Sequence, residues 1–344
     1  MTFRSILFQD AGEDGPAVAR EAPAYFSDLN LDQIVDAVTA GRQDYDLKSF
    51  FYTVLQDIDA IRYRQEIFRD LENEALLAQV SAFAQQMRAM RGHLARADKL
   101  HYPYQKKRWF LEAVDIYCDA VNGLAQGLTL AELTSRGFQA FREYVTAHVR
   151  SERFASLQAE TKKLIADLAA VRYCLHIRGN RIQVRRYESE PDYREEVENT
   201  FEKFKQGEAK DYRVTFSDGP DMNPVEAQIL DFVARLHPQP FSALDRYCAA
   251  NADYLDETIG RFDREVQLYL AWLEHLAALR RAGLPFCYPQ LDDACKDVRV
   301  RDAFDLALAH RLARENAPVV RNDFHLAGKE RILVVTGPNQ GGKT

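Results

Sequence analysis

The stretch RILVVTGPNQGGKT, residues 331–344, decides how the rest of the chain is read. Residues 332–335 are apolar and mostly β-branched, the signature of a buried strand. They run directly into Gly337-x-x-x-x-Gly342-Lys343-Thr344, the spacing of a phosphate-binding loop. Glycines in such a loop let consecutive backbone N–H groups turn inward around the β- and γ-phosphates, where a Cβ would clash. Lys343 is placed to reach the phosphate oxygens, and the Thr344 hydroxyl is placed to ligate Mg²⁺. A helix whose N-terminal dipole helps hold the phosphates should follow such a loop. With no such helix and no acidic residue after Thr344 to position metal and water, the chain given is not expected to hydrolyse nucleotide by itself.

The interior of the loop is more specific. Gly337-Pro338-Asn339-Gln340-Gly341-Gly342-Lys343-Thr344 resembles the GPNxGGKS/T form of the MutS family of DNA mismatch repair ATPases. The approach to it, PVVRNDFHLAGKERILVVTGPN, is similar to that family's entry into its ATPase domain, with Asn322 and Leu326 ahead of the strand. Just before that Asn the family packs an aromatic or apolar residue on the adenine, and Val319 holds the matching place. The resemblance implies ATP and Mg²⁺ as cofactors. It also implies a homodimer in the full-length protein, because family subunits complete each other's nucleotide sites.

Composition sets outer bounds. At 344 residues the chain has room for two or three domains, and 47% hydrophobic with 28% charged residues is ordinary for a soluble globular protein. No apolar run approaches the ~20 residues of a membrane span and no signal peptide opens the chain, so a cytoplasmic protein with no membrane partner is expected. Cys118, Cys174, Cys248, Cys287 and Cys295 are scattered, without metal-ligand spacing, and read as reduced thiols. A net charge of −7 argues against general affinity for nucleic acid, so any DNA contact has to come from a local basic patch.

Upstream of the loop the chain reads as mainly α. Residues 1–27 are an irregular leader with one short apolar patch, Ile6 to Phe8. Residues 28–136 carry helical stripes: Leu31, Ile34, Val35 and Val38, then Leu47, Phe50, Phe51, Val54 and Leu55, with helices expected near 74–98, 104–126 and 129–135. Residues 44–73 resemble the opening of the MutS helical core. The cluster Arg88, Arg91, His93, Arg96, Lys99, His101, Lys106, Lys107 and Arg108 reads as a solvated helical face or as a nucleic-acid patch, since acidic residues are interleaved.

Residues 137–284 change character. Phe154, Leu157, Leu164, Leu168 and Val171 follow a three-four repeat, as do Leu255, Ile259, Phe262, Val266, Tyr269, Leu273 and Leu276. A coiled-coil seam has that spacing. Helices running from about 137 to 171 and from 241 to 282 would each reach on the order of 50–60 Å. A projecting two-helix lever is therefore expected, the alternative being two ordinary core helices.

Between them, RYCLHIRGNRIQVRRY (residues 172–187) alternates, turns at Gly179-Asn180 and alternates again, a β-hairpin. Counting from the turn puts Ile177 opposite Ile182 and Leu175 opposite Val184 on one face. Arg178 opposite Arg181, His176 opposite Gln183 and Cys174 opposite Arg185 form the other. A helix at 192–206 and a strand at 212–216 would complete a β tip over 172–216, with a helix from 224 to 236 leading back. Residues 285–317 return to the core through a short helix at 300–315, and 318–344 open the ATPase domain.

The expected fold is thus mainly α: a MutS core-like helical domain, a long two-helix lever with a small β tip, and the first edge of a P-loop ATPase domain. Nothing in the chain matches the family's mismatch-reading and connector domains or its Phe-x-Glu probe, which favours a MutS-like paralogue. The function implied is ATP-gated clamping of DNA in repair or recombination, with Arg172, Arg178, Arg181 and Arg185 as candidate phosphate contacts. The alternative is a dimeric ATPase whose arms grip a protein or ribonucleoprotein assembly. Within the fold, Glu188, Glu190, Glu195 and Glu196 could instead neutralise those arginines.

Overall fold

A computed structural model describes residues 3–9, 18–179, 181–189 and 222–337. Its first helices are Leu31–Thr39 (α1), Lys48–Tyr52 (α2), Ile58–Asp70 (α3), Glu74–Lys99 (α4) and Pro103–Leu130 (α5). Arg136–Val149 (α6) and Glu152–Ala169 (α7) lead to the strands Tyr173–Arg178 (β1) and Arg181–Arg186 (β2). Beyond the undescribed 190–221 come Pro224–Leu236 (α8), Pro238–Ala250 (α9) and Glu257–Arg281 (α10). Val298–Ala303 (β3), Leu306–Arg314 (α11) and Asn322–Leu326 (β4) complete the described elements. The mainly α class is as expected. The helix at 192–206 and the strand at 212–216 lie outside the described residues.

The chain divides into two compact units. The first comprises Met1–Ala84, Asn122–His148 and Leu255–Thr344, and the second Gln85–Val121 and Val149–Tyr254.

In the first unit, α10 is the central element. Phe262 is fully buried and lies flat on Phe141, with ring centroids 3.7 Å apart. Phe83 and Phe138 close around the same ring at 5.7 and 6.3 Å. Two turns further, Tyr269 meets Phe68 of α3 edge-on at 4.7 Å. Gly137 lets α6 approach α3, since a Cβ there would stand 2.7 Å from Ile67 Cδ1 and 2.8 Å from the Tyr63 hydroxyl. The entry to α6 is held by Asp70, whose carboxylate accepts from the Thr134 and Ser135 amides and hydroxyls at 2.6–3.1 Å.

This arrangement corrects the long helices. The stretch 137–171 is two helices that break at Arg150 and Ser151, where the Ser151 hydroxyl caps α7 by accepting from Phe154 N. The stretch 241–282 is likewise two helices, separated over 251–256, and Asp256 caps α10 by accepting from Ile259 N. Ile259, Phe262, Val266 and Tyr269 are core positions of the first unit and do not form a seam of a lever. The physical reason is that a stripe at i, i+3, i+4, i+7 serves a globular core as well as a coiled coil. Leu255, counted in the repeat, precedes α10 and is 41% exposed.

Three smaller expectations also change. Residues 131–135 are not helical, α5 ending at Leu130. The stretch 300–315 begins as strand, because Val298-Arg299-Val300 alternates with period two and pairs antiparallel with β4. Only α11 is helical, capped by Asp305 accepting from Leu308 N. Finally, residues 332–335 form no strand: Ile332 is 81% exposed and Val334 76%. A buried strand needs paired neighbours, and among the described residues none pairs with this run.

In the second unit, α8 and α9 pack through Val233, Ala234 and Phe241, with Tyr104 of α5 and Val171 and Val184 against them. Asn223 and Glu226 form a reciprocal capping box at the start of α8, with Pro224 at the first helical position.

Candidate functional site

Of the residues expected at the nucleotide, Val319 and Gly337 lie among the described ones, and residues 338–344 lie outside them. Val319 is half-buried against Leu279, Leu284 and Ala309, with Phe286 and Phe304 beside them. Its approach is built by β3 and β4, in which Val298 faces Leu326 and Ala303 faces Asn322 across a bulge. At that bulge Asp302 takes a positive φ of 53°, and its amide donates to Asp323 Oδ1 at 2.7 Å. Arg331–Gly337 is exposed. Thr344, the expected metal ligand, is outside the described residues, and among those described no group of three His, Cys, Asp or Glu could hold a metal ion.

The hairpin has the register counted from its turn. Arg178 pairs with Arg181, Ile177 with Ile182, His176 with Gln183, Leu175 with Val184 and Cys174 with Arg185. Gly179 supplies the positive φ of 59° that the turn requires. One face is anchored: Val184 packs on the Val233–Phe241 cluster, and Arg186 donates from Nε and Nη2 to the Leu236 carbonyl at 3.1 and 2.6 Å. That carbonyl is one that the end of α8 leaves without a helical partner. The other face holds the arginines. Arg172 sits over the Tyr187 ring at 5.8 Å. Arg178, Arg181 and Arg185 are exposed, and no ion pair joins them to a carboxylate among the described residues. Glu190, Glu195 and Glu196 lie outside those residues.

Members of the basic cluster on α4 and α5 find partners within their own unit. Lys107 pairs with Asp245 at 2.7 Å, Arg108 with Glu112 at 2.7 Å, and Arg96 covers Trp109 at 5.3 Å.

One polar site escapes a reading of the sequence. Glu265 sits on α10 and is 1% exposed. Its carboxylate accepts from Ser5 Oγ at 2.8 Å and from the Ile6 amide at 2.9 Å. Burial pushes its pKa up to about 7, against the opposing pull of those two donors and of Arg261 and Arg64. Tyr63 and Tyr269 also face it, and burial pushes both phenols up.

The unfolded carboxyl loses its proton near pH 4.5 and the folded one near 7. Between those values the unfolded state binds fewer protons, so stability should fall as pH rises. The expected loss from pH 5 to 8 is about 2–3 kcal/mol by denaturant titration, and Glu265→Gln should remove most of that slope. The same slope in both proteins would show that other groups carry it.

Compared with known protein families, with characterised proteins and with solved structures, the chain matches none of them.

Proposed function

We propose that this chain is the helical body of a MutS-like, ATP-gated DNA-binding protein, working as a dimer in DNA repair or recombination. The single observation that carries the reading is the loop sequence GPNQGGKT at 337–344, with Lys343 for phosphate and Thr344 for Mg²⁺. The hairpin supports it. Like charges directly opposite destabilise a sheet, so Arg178 facing Arg181 gains sense from an anionic ligand such as a phosphate backbone. ATP state would govern how the protein engages DNA. The net charge of −7 favours the second reading, an ATPase that grips a protein or ribonucleoprotein assembly.

DNA affinity measured against salt decides between them. The wild-type chain should bind with a salt-dependent affinity. An Arg178→Ala, Arg181→Ala variant should bind more weakly on every sequence, with its log–log salt slope reduced by about two. Identical slopes would remove these arginines from the interface, and absence of salt-dependent binding by the wild type would favour the protein-gripping reading.

A further inference from the structure

Residues 3–9 have no regular secondary structure, yet Phe3, Ser5, Ile6 and Leu7 are buried in the first unit. Buried backbone polar groups must find partners, and here side chains of α3 and α10 supply them. Arg261 Nη1 donates to the Arg4 carbonyl at 3.1 Å, Tyr63 to that of Ser5 at 2.7 Å, Tyr269 to that of Ile6 at 2.7 Å, and Arg64 Nε to that of Leu7 at 2.9 Å. Glu265 takes the Ile6 amide and the Ser5 hydroxyl. That hydroxyl in turn accepts from the Leu7 and Phe8 amides, each at 3.0 Å. Among the described residues, no backbone-to-backbone hydrogen bond reaches this segment. Four successive carbonyls are thus each read by a different side chain, in the manner of a receptor holding a bent peptide rather than of an element held through a backbone ladder.

We propose that the groove between α3 and α10 is a binding site for short peptides that turn at a hydroxyl residue followed by two aliphatic residues, with Ser5-Ile6-Leu7 as its resident, intramolecular ligand. The hydroxyl requirement follows from Ser5, whose one oxygen donates to Glu265 and accepts from two amides, a role alanine cannot fill. The aliphatic requirement follows from Ile6 and Leu7, both 0% exposed. Phe8 lies under the Arg64 guanidinium at 4.8 Å. Arg64 Nη2 is buried with no hydrogen-bond partner among the described residues. A peptide offering an acceptor to it gains a bond that the resident segment lacks, which makes the resident displaceable.

The test uses the full chain with Ile6→Asp, which places a charge on the resident segment and leaves every groove residue intact, and a fluorescent peptide TFRSILFQ. A filled groove lowers apparent affinity by the fraction that is free. The peptide should therefore bind the Ile6→Asp chain at least about tenfold more tightly than wild type, and TFRAILFQ should lose that binding. Equal affinity for the two chains, or equal binding of a scrambled peptide, overturns the proposal.

Should the Ile6→Asp chain fail to show a helical spectrum, hydrogen exchange of a Tyr63→Phe, Tyr269→Phe chain decides. Two hydrogen bonds to the segment are lost there, so exchange over residues 3–9 should rise about tenfold while α3 and α10 stay protected. A joint rise in all three would make the segment an inseparable part of the core and the site no site.

Discussion

Phe262→Asp should unfold the first unit. Phe262 is fully buried, stacked on Phe141 and ringed by Phe83 and Phe138. Removing the ring costs about 3–5 kcal/mol in cavity and lost burial, and leaving an unpaired carboxylate in its place adds to that. The total approaches the whole stability of an ordinary domain, about 5–15 kcal/mol. Loss of helical circular dichroism and of a cooperative denaturation transition is the expected outcome. Leu273→Asp is the informative comparison. Leu273 lies on the same helix but is half-buried, lining a cleft with Trp272, Leu276 and Arg280. Its new charge can reach water, so the variant should fold with a loss of about 1–2 kcal/mol. Equal losses at the two positions would restore a uniform seam along this helix and contradict the core described above.

Lys343→Ala should weaken nucleotide binding at least about tenfold in protein that includes the remainder of the ATPase domain implied by the family resemblance. A charge-assisted contact to phosphate is worth about 1.5–3 kcal/mol, so ATP affinity should fall roughly ten- to a hundredfold. Thr344→Ala should behave differently, because a hydroxyl on Mg²⁺ matters to metal-dependent turnover more than to phosphate grip. Titration of a fluorescent ATP analogue with and without Mg²⁺ separates the two variants. Unchanged affinity in Lys343→Ala would take the loop out of the nucleotide site, and with it the observation on which the proposed function rests.

Local signals in the sequence determined a good part of this protein. The hairpin register follows from the Gly179-Asn180 turn and strict alternation on either side, because a strand has period two and a two-residue turn leaves no freedom of phase. The helices expected near 74–98 and 104–126 lie at Glu74–Lys99 and Pro103–Leu130, the second starting with Pro103 at its first position and running on through the break expected before 129. The helix at 224–236 likewise appears where it was read.

What only the tertiary structure decided has a common cause. A stripe spaced by three and four is identical in a coiled-coil seam and in a core helix, so the place of Phe262 and Tyr269 depended on the aromatic rings of α3, α4 and α6. The breaks at 150–151 and 251–256 each end in one capping residue, Ser151 and Asp256. Val298–Ala303 became a strand because β4, some twenty residues on, pairs with it. Glu265 reads in sequence as one more solvated charge on a helix. It is buried because Ser5 and Ile6, 260 and 259 residues away in the chain, bring their hydroxyl and amide to it, and no local window of sequence contains both partners.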